Sequence, residues 1–372
     1  MVKNIHIWLG NYIAQELKRF MRPQPLPKPK HILFCFVDHY EPEWHHADAE
    51  TQSRRVAEWV NRYPKLAQGH KDADGCYPKH TFFYPAEVYV KEHLDQLSKL
   101  CAHGFGEIEI HLHHENDTEQ GLRQKLEKAK ADFARHGVLG KNKSTGEISF
   151  AFIHGNWALN NSRNDGRWCG LNNESSILKN CGCYADFTLP SAPSETQTKI
   201  INSIYYPSGN TQKPKSHNTG IPVAVRTVHE PPRRHAVSTQ LIIIQGPLTL
   251  NWRKRKAGIF PRIENAEVTG VNPPTPNRVD LWVDQNICVS GKPDWIFVKV
   301  HTHGAQENNM KALLGESMDQ AFLYLESHYN DGKNYLLHYV TAREMYNIIK
   351  AAEAGESGSP NDFRNYSILK CV

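Results

Sequence analysis

No stretch of about 18 consecutive apolar residues occurs in the 372-residue chain, so the sequence offers no membrane-spanning helix. No long block of one charge sign occurs either. The 44 Lys and Arg against 39 Asp and Glu leave a net +5, and the longest basic cluster is the run Arg253-Lys254-Arg255-Lys256. That excess is too small to argue for a nucleic-acid partner. With 39% hydrophobic and 22% charged residues, the chain also lacks the composition of a disordered protein. The eight cysteines form no Cys-x-x-Cys pair. The N-terminus has no basic start, apolar block and small-residue cleavage site in succession, so a reduced, cytoplasmic protein is expected. No internal repeat is visible, and nothing in the sequence fixes an oligomeric state. What is abundant is histidine: 21 residues of the side chain that titrates near neutrality and most often binds metals.

Residues 1–30 read as an amphipathic helix followed by a Pro-rich linker. Over 5–21 the apolar residues Trp8, Leu9, Ile13, Leu17 and Phe20 recur at near-helical spacing beside Lys18 and Arg19. A helix docked on the outside of a domain is the commoner origin of such a stripe, and peripheral membrane contact is the other. The alternating prolines of PQPLPKPK then forbid helix. From residue 31 short apolar runs at 31–37, 80–84, 107–113, 148–154, 185–189, 240–245, 278–284 and 296–301 read as strands. Helix-period segments within 50–63, 86–104, 119–137 and 173–181 separate several of them. The alternation predicts an α/β protein whose seven or eight βα units close into a deformed TIM-like barrel over 31–355. An open doubly wound sheet is disfavoured, because no Gly-x-Gly-x-x-Gly follows the first strand. Residues 190–239 read as a lid or substrate-binding insertion, and 356–372 as a surface tail.

In such a barrel the polar groups closing each strand face a common mouth. The first strand ends in Asp38-His39-Tyr40-Glu41, the third in His111-Leu112-His113-His114-Glu115, the fourth in His154-Gly155-Asn156-Trp157 and the last in His301-Thr302-His303. Residues two apart on a strand point the same way, so His111 with His113, and His301 with His303, can converge on one ion. Imidazoles with a carboxylate suit zinc or a similar divalent transition metal better than magnesium or calcium. Taken singly, each strand-end histidine is more often a hydrogen-bonded structural group; it is their recurrence at four strand ends that points to metal or acid–base chemistry. Cys169, Cys181 and Cys183 lack a partner pair and read as buried inert thiols.

The order FCFVDHYEP, HTFFYP, GEIEIHLHH, DLWVD with Asp294-Trp295, VKVHTHG and a closing helix begun by HYVTAREM resembles the polysaccharide deacetylase family, the NodB-homology barrel of carbohydrate esterase family 4, over about residues 31–350. The resemblance implies Asp38 as catalytic base, with His39 standing where the family has a second, metal-binding aspartate. It also implies His111 as the first metal ligand, with Glu115 at the place of the second histidine and His113 or His114 able to substitute. His154, Asn156 and Trp157 occupy the family's substrate-wall segment. His301 or His303, paired with Asp284 or Asp280, takes the role of general acid.

The function the resemblance implies is removal of an N-acetyl group from a sugar in a polysaccharide or in its lipid- or nucleotide-linked precursor. The metal would lower the pKa of water and polarise the carbonyl, and a histidine would protonate the amine. Trp44, Trp157, Trp168, Tyr205 and Tyr206 are candidates for stacking on sugar rings. The alternatives are another amidohydrolase or a phosphoesterase on the same barrel, and a carbohydrate-binding member without catalysis.

Overall fold

The structure, a computed structural model, describes residues 3–21, 29–226 and 240–371. Its strands are β1 (Lys30–His39), β2 (His80–Pro85), β3 (Gly106–Leu112), β4 (Gly140–Asn142), β5 (Ile148–His154), β6 (Cys183–Asp186), β7 (Ile204–Pro207), β8 (Gly220–Pro222), β9 (Ile242–Ile244), β10 (Thr249–Lys256), β11 (Phe260–Glu264), β12 (Trp295–Thr302), β13 (Tyr335–Val340) and β14 (Ile368–Leu369). The helices are α1 (Leu9–Phe20), α2 (Ala49–Ala67), α3 (Lys91–Ala102), α4 (Glu119–Ala134), α5 (Glu174–Asn180), α6 (Pro276–Asp284), α7 (Glu307–Leu313), α8 (Glu316–Tyr329) and α9 (Ala342–Ala354).

One large sheet runs in the order β12-β1-β2-β3-β5-β6-β9-β7-β8 and is parallel through β9. β1 pairs with β12 along one edge. It divides the other, giving Lys30–Cys35 to β13 and Phe36–His39 to β2. Among the described residues no strand ladder joins β9 to β12, so the expected closed barrel is not formed by backbone pairing. The free edge of β12 instead pairs with the segment after β11, where His301 and Glu267 form a parallel bridge, and the buried Lys299 donates from Nζ to the carbonyl oxygens of Phe187 and Leu189 beyond β6.

Strand alternation sorts the core into two clusters. Ile32, Phe34 and Phe36 pack outward with Trp59 of α2, Leu97 of α3, Leu126 of α4 and Phe322 of α8. Leu33, Cys35 and Val37 face inward with Ile153, Phe297 and residues of α9 such as Met345 and Ile349. The inner face is thus closed by α9, and the strand C-termini open on the other side.

Several expectations change. The run 278–284, read as a strand, is helix α6; Pro276 in its first turn sets the start, and Val279, Trp282 and Val283 bury one helical face. A short run fits both periods, and the proline was the deciding signal. HYV of 338–340 is the end of β13 rather than a helix start: Thr341 caps α9 by accepting from the Glu344 backbone N–H in a reciprocal capping box. The insertion from 190 contributes β7 and β8 to the sheet, with Tyr205 and Tyr206 buried and therefore unavailable for sugar stacking. Residues 227–239 of that insertion, and 22–28 of the Pro-rich linker, lie outside the described residues. The tail beyond 355 is packed down: Ile368 is buried and β14 pairs with β4. α1 docks through Tyr12, with Trp8 just before it, against Ala192, Leu248 and Leu250, while Ile13, Leu17 and Phe20 point outward.

Beneath α9, the buried Glu344 carboxylate accepts from Lys79 at 2.7 Å and Arg364 at 3.0 Å. Burial opposes its ionisation, but Lys79, Arg364 and Arg343 outweigh it and hold the group down at about 2, against an ordinary 4.5. Its folded pKa lies below the unfolded one, so the contribution to stability is present above the ordinary carboxylate range and is lost as pH falls toward 2. Glu344→Gln should cost about 3–5 kcal/mol at pH 7. Urea unfolding from pH 7 to pH 3 should then show a smaller loss in the variant than in the natural chain.

Candidate metal centre

The inward alternation on β1, β3 and β12 continues to the last residue of each run. Val37 is followed on the same face by His39, Glu109 by His111, and Lys299 by His301. One nitrogen each of His39 and His111 and one oxygen of Glu41 lie within 4.8 Å of one another, all buried. His111 Nε2 is 3.0 Å from Glu41 Oε1, and His113 Nε2 is 3.3 Å from the same oxygen. The His39 ring stacks on His303 at 4.7 Å between centroids and meets His111 edge-on at 4.9 Å. Trp157 stands 5.6 Å from His39 and 5.7 Å from His303. Beyond it opens a cleft of about 300 Å³ lined by Trp157, Pro190, Ala192, Asn265, Glu267 and His301.

The electrostatics suit a cation. Burial pushes His39 well below the ordinary imidazole value, and His303, His111, His301 and His113 add to that push. Burial also lowers His111 and, further, His301, for which Lys299 is the next cause. Burial works against ionisation of Glu41, yet hydrogen bonds from His111 and His113 overcome it and hold the carboxyl well below its usual range. Neutral imidazoles and one carboxylate are the protonation states in which these groups donate electron pairs to a metal. His39 Nδ1, His111 Nδ1, Glu41 Oε2 and His301 Nδ1 are buried without a hydrogen-bond partner. Such atoms are costly in an apolar interior, and a divalent ion satisfies those that face it. The donor set therefore fits a metal of the zinc class.

The remaining candidates lie at several different places. His113 is 31% exposed at the rim, pairs with Glu41 and with Glu87 at 2.5 Å, and is pushed up to about 10 because those two carboxylates outweigh burial. Glu115 is exposed and pairs with Arg167 at 3.8 Å, away from the centre. His114 and His154 point to the outer face of the sheet, where they meet Cys169 and Glu174. Asn156 lies between the two places, donating its backbone N–H to His154 Nδ1 at 3.2 Å, while Trp157 reaches the first centre.

Asp38 is corrected by the same alternation. One residue before His39, it faces outward, where Oδ2 accepts from His80 at 2.8 Å and Oδ1 accepts from the Gly304 N–H at 2.6 Å. Fully buried and doubly occupied, it is not presented to the cleft. Asp284 and Asp280 are corrected as well: α6 carries them to Tyr324, Tyr329 and Arg19, and neither carboxylate bonds to His301 or His303. Sequence reasoning left out Glu41, which stands two residues after His39 and joins the candidate cluster. It also missed His80 and Glu87, which carry no pattern of their own. Trp44 at the rim, 6.2 Å from His303, and Trp157 are the aromatics that reach the site; Trp168 is covered by Arg163 and Arg167.

Asp38→Asn should lower thermal stability by about 1–3 kcal/mol, the cost of an unmet buried polar group, and leave metal affinity unchanged. Glu41→Gln and His111→Ala should each reduce zinc affinity at least tenfold in calorimetric titration. No protein-family model matches the chain and no curated protein matches it. Among solved structures, a Mycobacterium smegmatis protein described as a "putative polysaccharide deacetylase" superposes over 91% of this chain and 96% of its own, with TM-score 0.44 and 11% identity.

Proposed function

We propose that the chain is a metal-dependent hydrolase that removes the N-acetyl group from an N-acetylated sugar. The observation that carries this reading is the buried His39–Glu41–His111 group beside a cleft that also holds Trp157 and His301. The order of strand-end motifs, similar to that of the polysaccharide deacetylases, supports the choice of substrate.

His39, Glu41 and His111 would hold the ion, most suitably zinc. When bound, such an ion polarises the amide carbonyl and acidifies water. His303, stacked on His39 and edge-on to Trp157, takes a proton from the attacking water and returns it to the departing amine. Asp38 is a positioning residue: by receiving the Gly304 N–H and His80 it fixes the turn that follows His303. Trp157 forms the cleft wall on which a sugar ring stacks.

Ala192 lines the cleft and also packs beneath Trp8 and Tyr12. Ile13, Leu17 and Phe20 of α1 are exposed, as are Trp252, Ile259 and Phe260 of the β10–β11 hairpin beside Arg253–Lys256. Apolar groups set among cations suit an anionic bilayer surface and favour a lipid-linked precursor as substrate.

Zinc-loaded protein should release acetate from a panel of N-acetylated sugars and stop on chelation. His303→Asn should lower kcat by about 10²–10⁴ with zinc still bound. Release of phosphate from phosphoesters with no acetate from any sugar would overturn the assignment. Sedimentation with vesicles should show binding to phosphatidylserine-containing bilayers, and Leu17→Glu with Phe20→Glu should reduce it at least tenfold.

A further inference from the structure

A second group of metal-ligating side chains lies outside the site described above. His114 follows β3, His154 ends β5 on its outer face, Cys169 sits in the loop between β5 and α5, and Glu174 opens α5. One ligand atom from each lies within 4.8 Å of the others, and all four residues are buried. Glu174 is the hub. Its Oε1 is 3.0 Å from His114 Nε2 and 3.7 Å from His154 Nε2, and its Oε2 is 3.2 Å from Cys169 Sγ.

The surroundings are those of a ligand set. His114 Nδ1 lies 3.2 Å from Asp117 Oδ2, an ion-pair distance that leaves the nitrogen without a hydrogen-bond partner. Across Gly170, whose φ is +96°, Cys169 Sγ accepts from the Leu171 backbone N–H at 3.4 Å, and as a thiol it can donate to the Leu171 carbonyl at 3.5 Å or to Glu174 Oε2. The Asn160 N–H donates to Glu174 Oε2 at 2.8 Å. A purely hydrogen-bonded network leaves two nitrogens of the cluster unmet, His114 Nδ1 and His154 Nε2; the second, on a ring 0% exposed, is aimed into the cluster 3.7 Å from Glu174 Oε1.

We propose that His114, His154, Cys169 and Glu174 form a second metal site, taking one divalent cation of the zinc class in a closed, four-ligand structural role. Thiolate, two imidazoles and a carboxylate make a tetrahedral donor set with no open position, which separates it from a catalytic centre. Coordination through His154 Nε2 places the ring proton on Nδ1. The Asn156 N–H contact, now 3.2 Å to that atom, is then given up. Three of the ligands come from different elements, so the ion clamps the loop carrying Trp157 to the ends of β3 and β5. Cation binding here is independent of the hydrolase reading, because none of the four residues belongs to the first centre.

Cobalt and zinc loading of the full chain test the site, since the first centre contains no thiolate. The natural chain should bind two equivalents of zinc. Its X-ray absorption should include a sulfur shell at about 2.3 Å from the metal. The cobalt form should show thiolate-to-cobalt charge transfer in the near ultraviolet. Cys169→Ser should bind one equivalent and lose both sulfur signals, whereas His111→Ala should bind one and keep them. The proposal is overturned by natural chain without a sulfur shell, or by a Cys169→Ser protein that retains it. Should Cys169→Ser fail to fold, the sulfur shell of the natural chain and of His111→Ala decides alone.

Discussion

Everything at the mouth of this fold depends on the two-residue period of β1, held in place on both edges. The strand is paired by β12 along one side and by β13 and then β2 along the other. Its register cannot slip by one residue without turning Val37 and His39 outward and Phe36 and Asp38 inward. That register separates two adjacent polar residues by function. His39 joins the imidazoles of the inner face, and Asp38 is taken out of their reach to anchor His80 and the Gly304 turn. A family motif written as consecutive letters places both residues at the same site, whereas the pleat places them on opposite sides of a sheet.

The inner wall is also organised by charge. Imidazoles of His39, His111 and His301 sit where burial and one another's proximity disfavour protonation. The carboxylate among them, Glu41, is kept ionised by the histidines that touch it. Lys299, one pleat below His301, is pushed down to about 7 by burial against the opposing pull of Asp186. Imidazoles held neutral around one ionised carboxylate are the protonation states in which these groups could hold a metal.

Much of this was legible in the sequence. The β-rich apolar runs at 31–37, 80–84, 107–113, 148–154 and 296–301 became strands, because β-branched and aromatic residues in short runs between helix-period segments admit little else. The clustering of His39, His111 and His303 followed from strand ends alone. What was not legible has definite physical origins. The segment 278–284 fits two periods, and only its flanking Thr275-Pro276 distinguishes them. Glu41, Glu87 and Glu174 reach their sites by backbone turns with no local signature, and Cys169 reads as a lone thiol until the fold brings His114 and His154 beside it. Which segment would lie against the free edge of β12 was not legible either: His301 pairs there with Glu267, in a loop that carries no strand pattern of its own.

Two strand ends in the chain read His-Gly, and close packing explains both. A Cβ on Gly304 would fall 2.1 Å from Asp38 Oδ2, and one on Gly155 would fall 2.2 Å from the His113 ring. At each place the backbone must come within hydrogen-bond or ring contact of a functional side chain, which a larger residue forbids. Gly304 thereby lets its own N–H reach Asp38 and sets His303 over His39. Gly155 lets the chain turn between His154, which faces the outer cluster, and Trp157, which faces the inner one, with His113 and His114 divided the same way on the neighbouring strand. The two clusters are therefore not separate additions to the scaffold. They share β3: His111 faces the inner cluster with His39 of β1 and Glu41, and His114, just past the end of the strand, faces the outer cluster with His154 of β5.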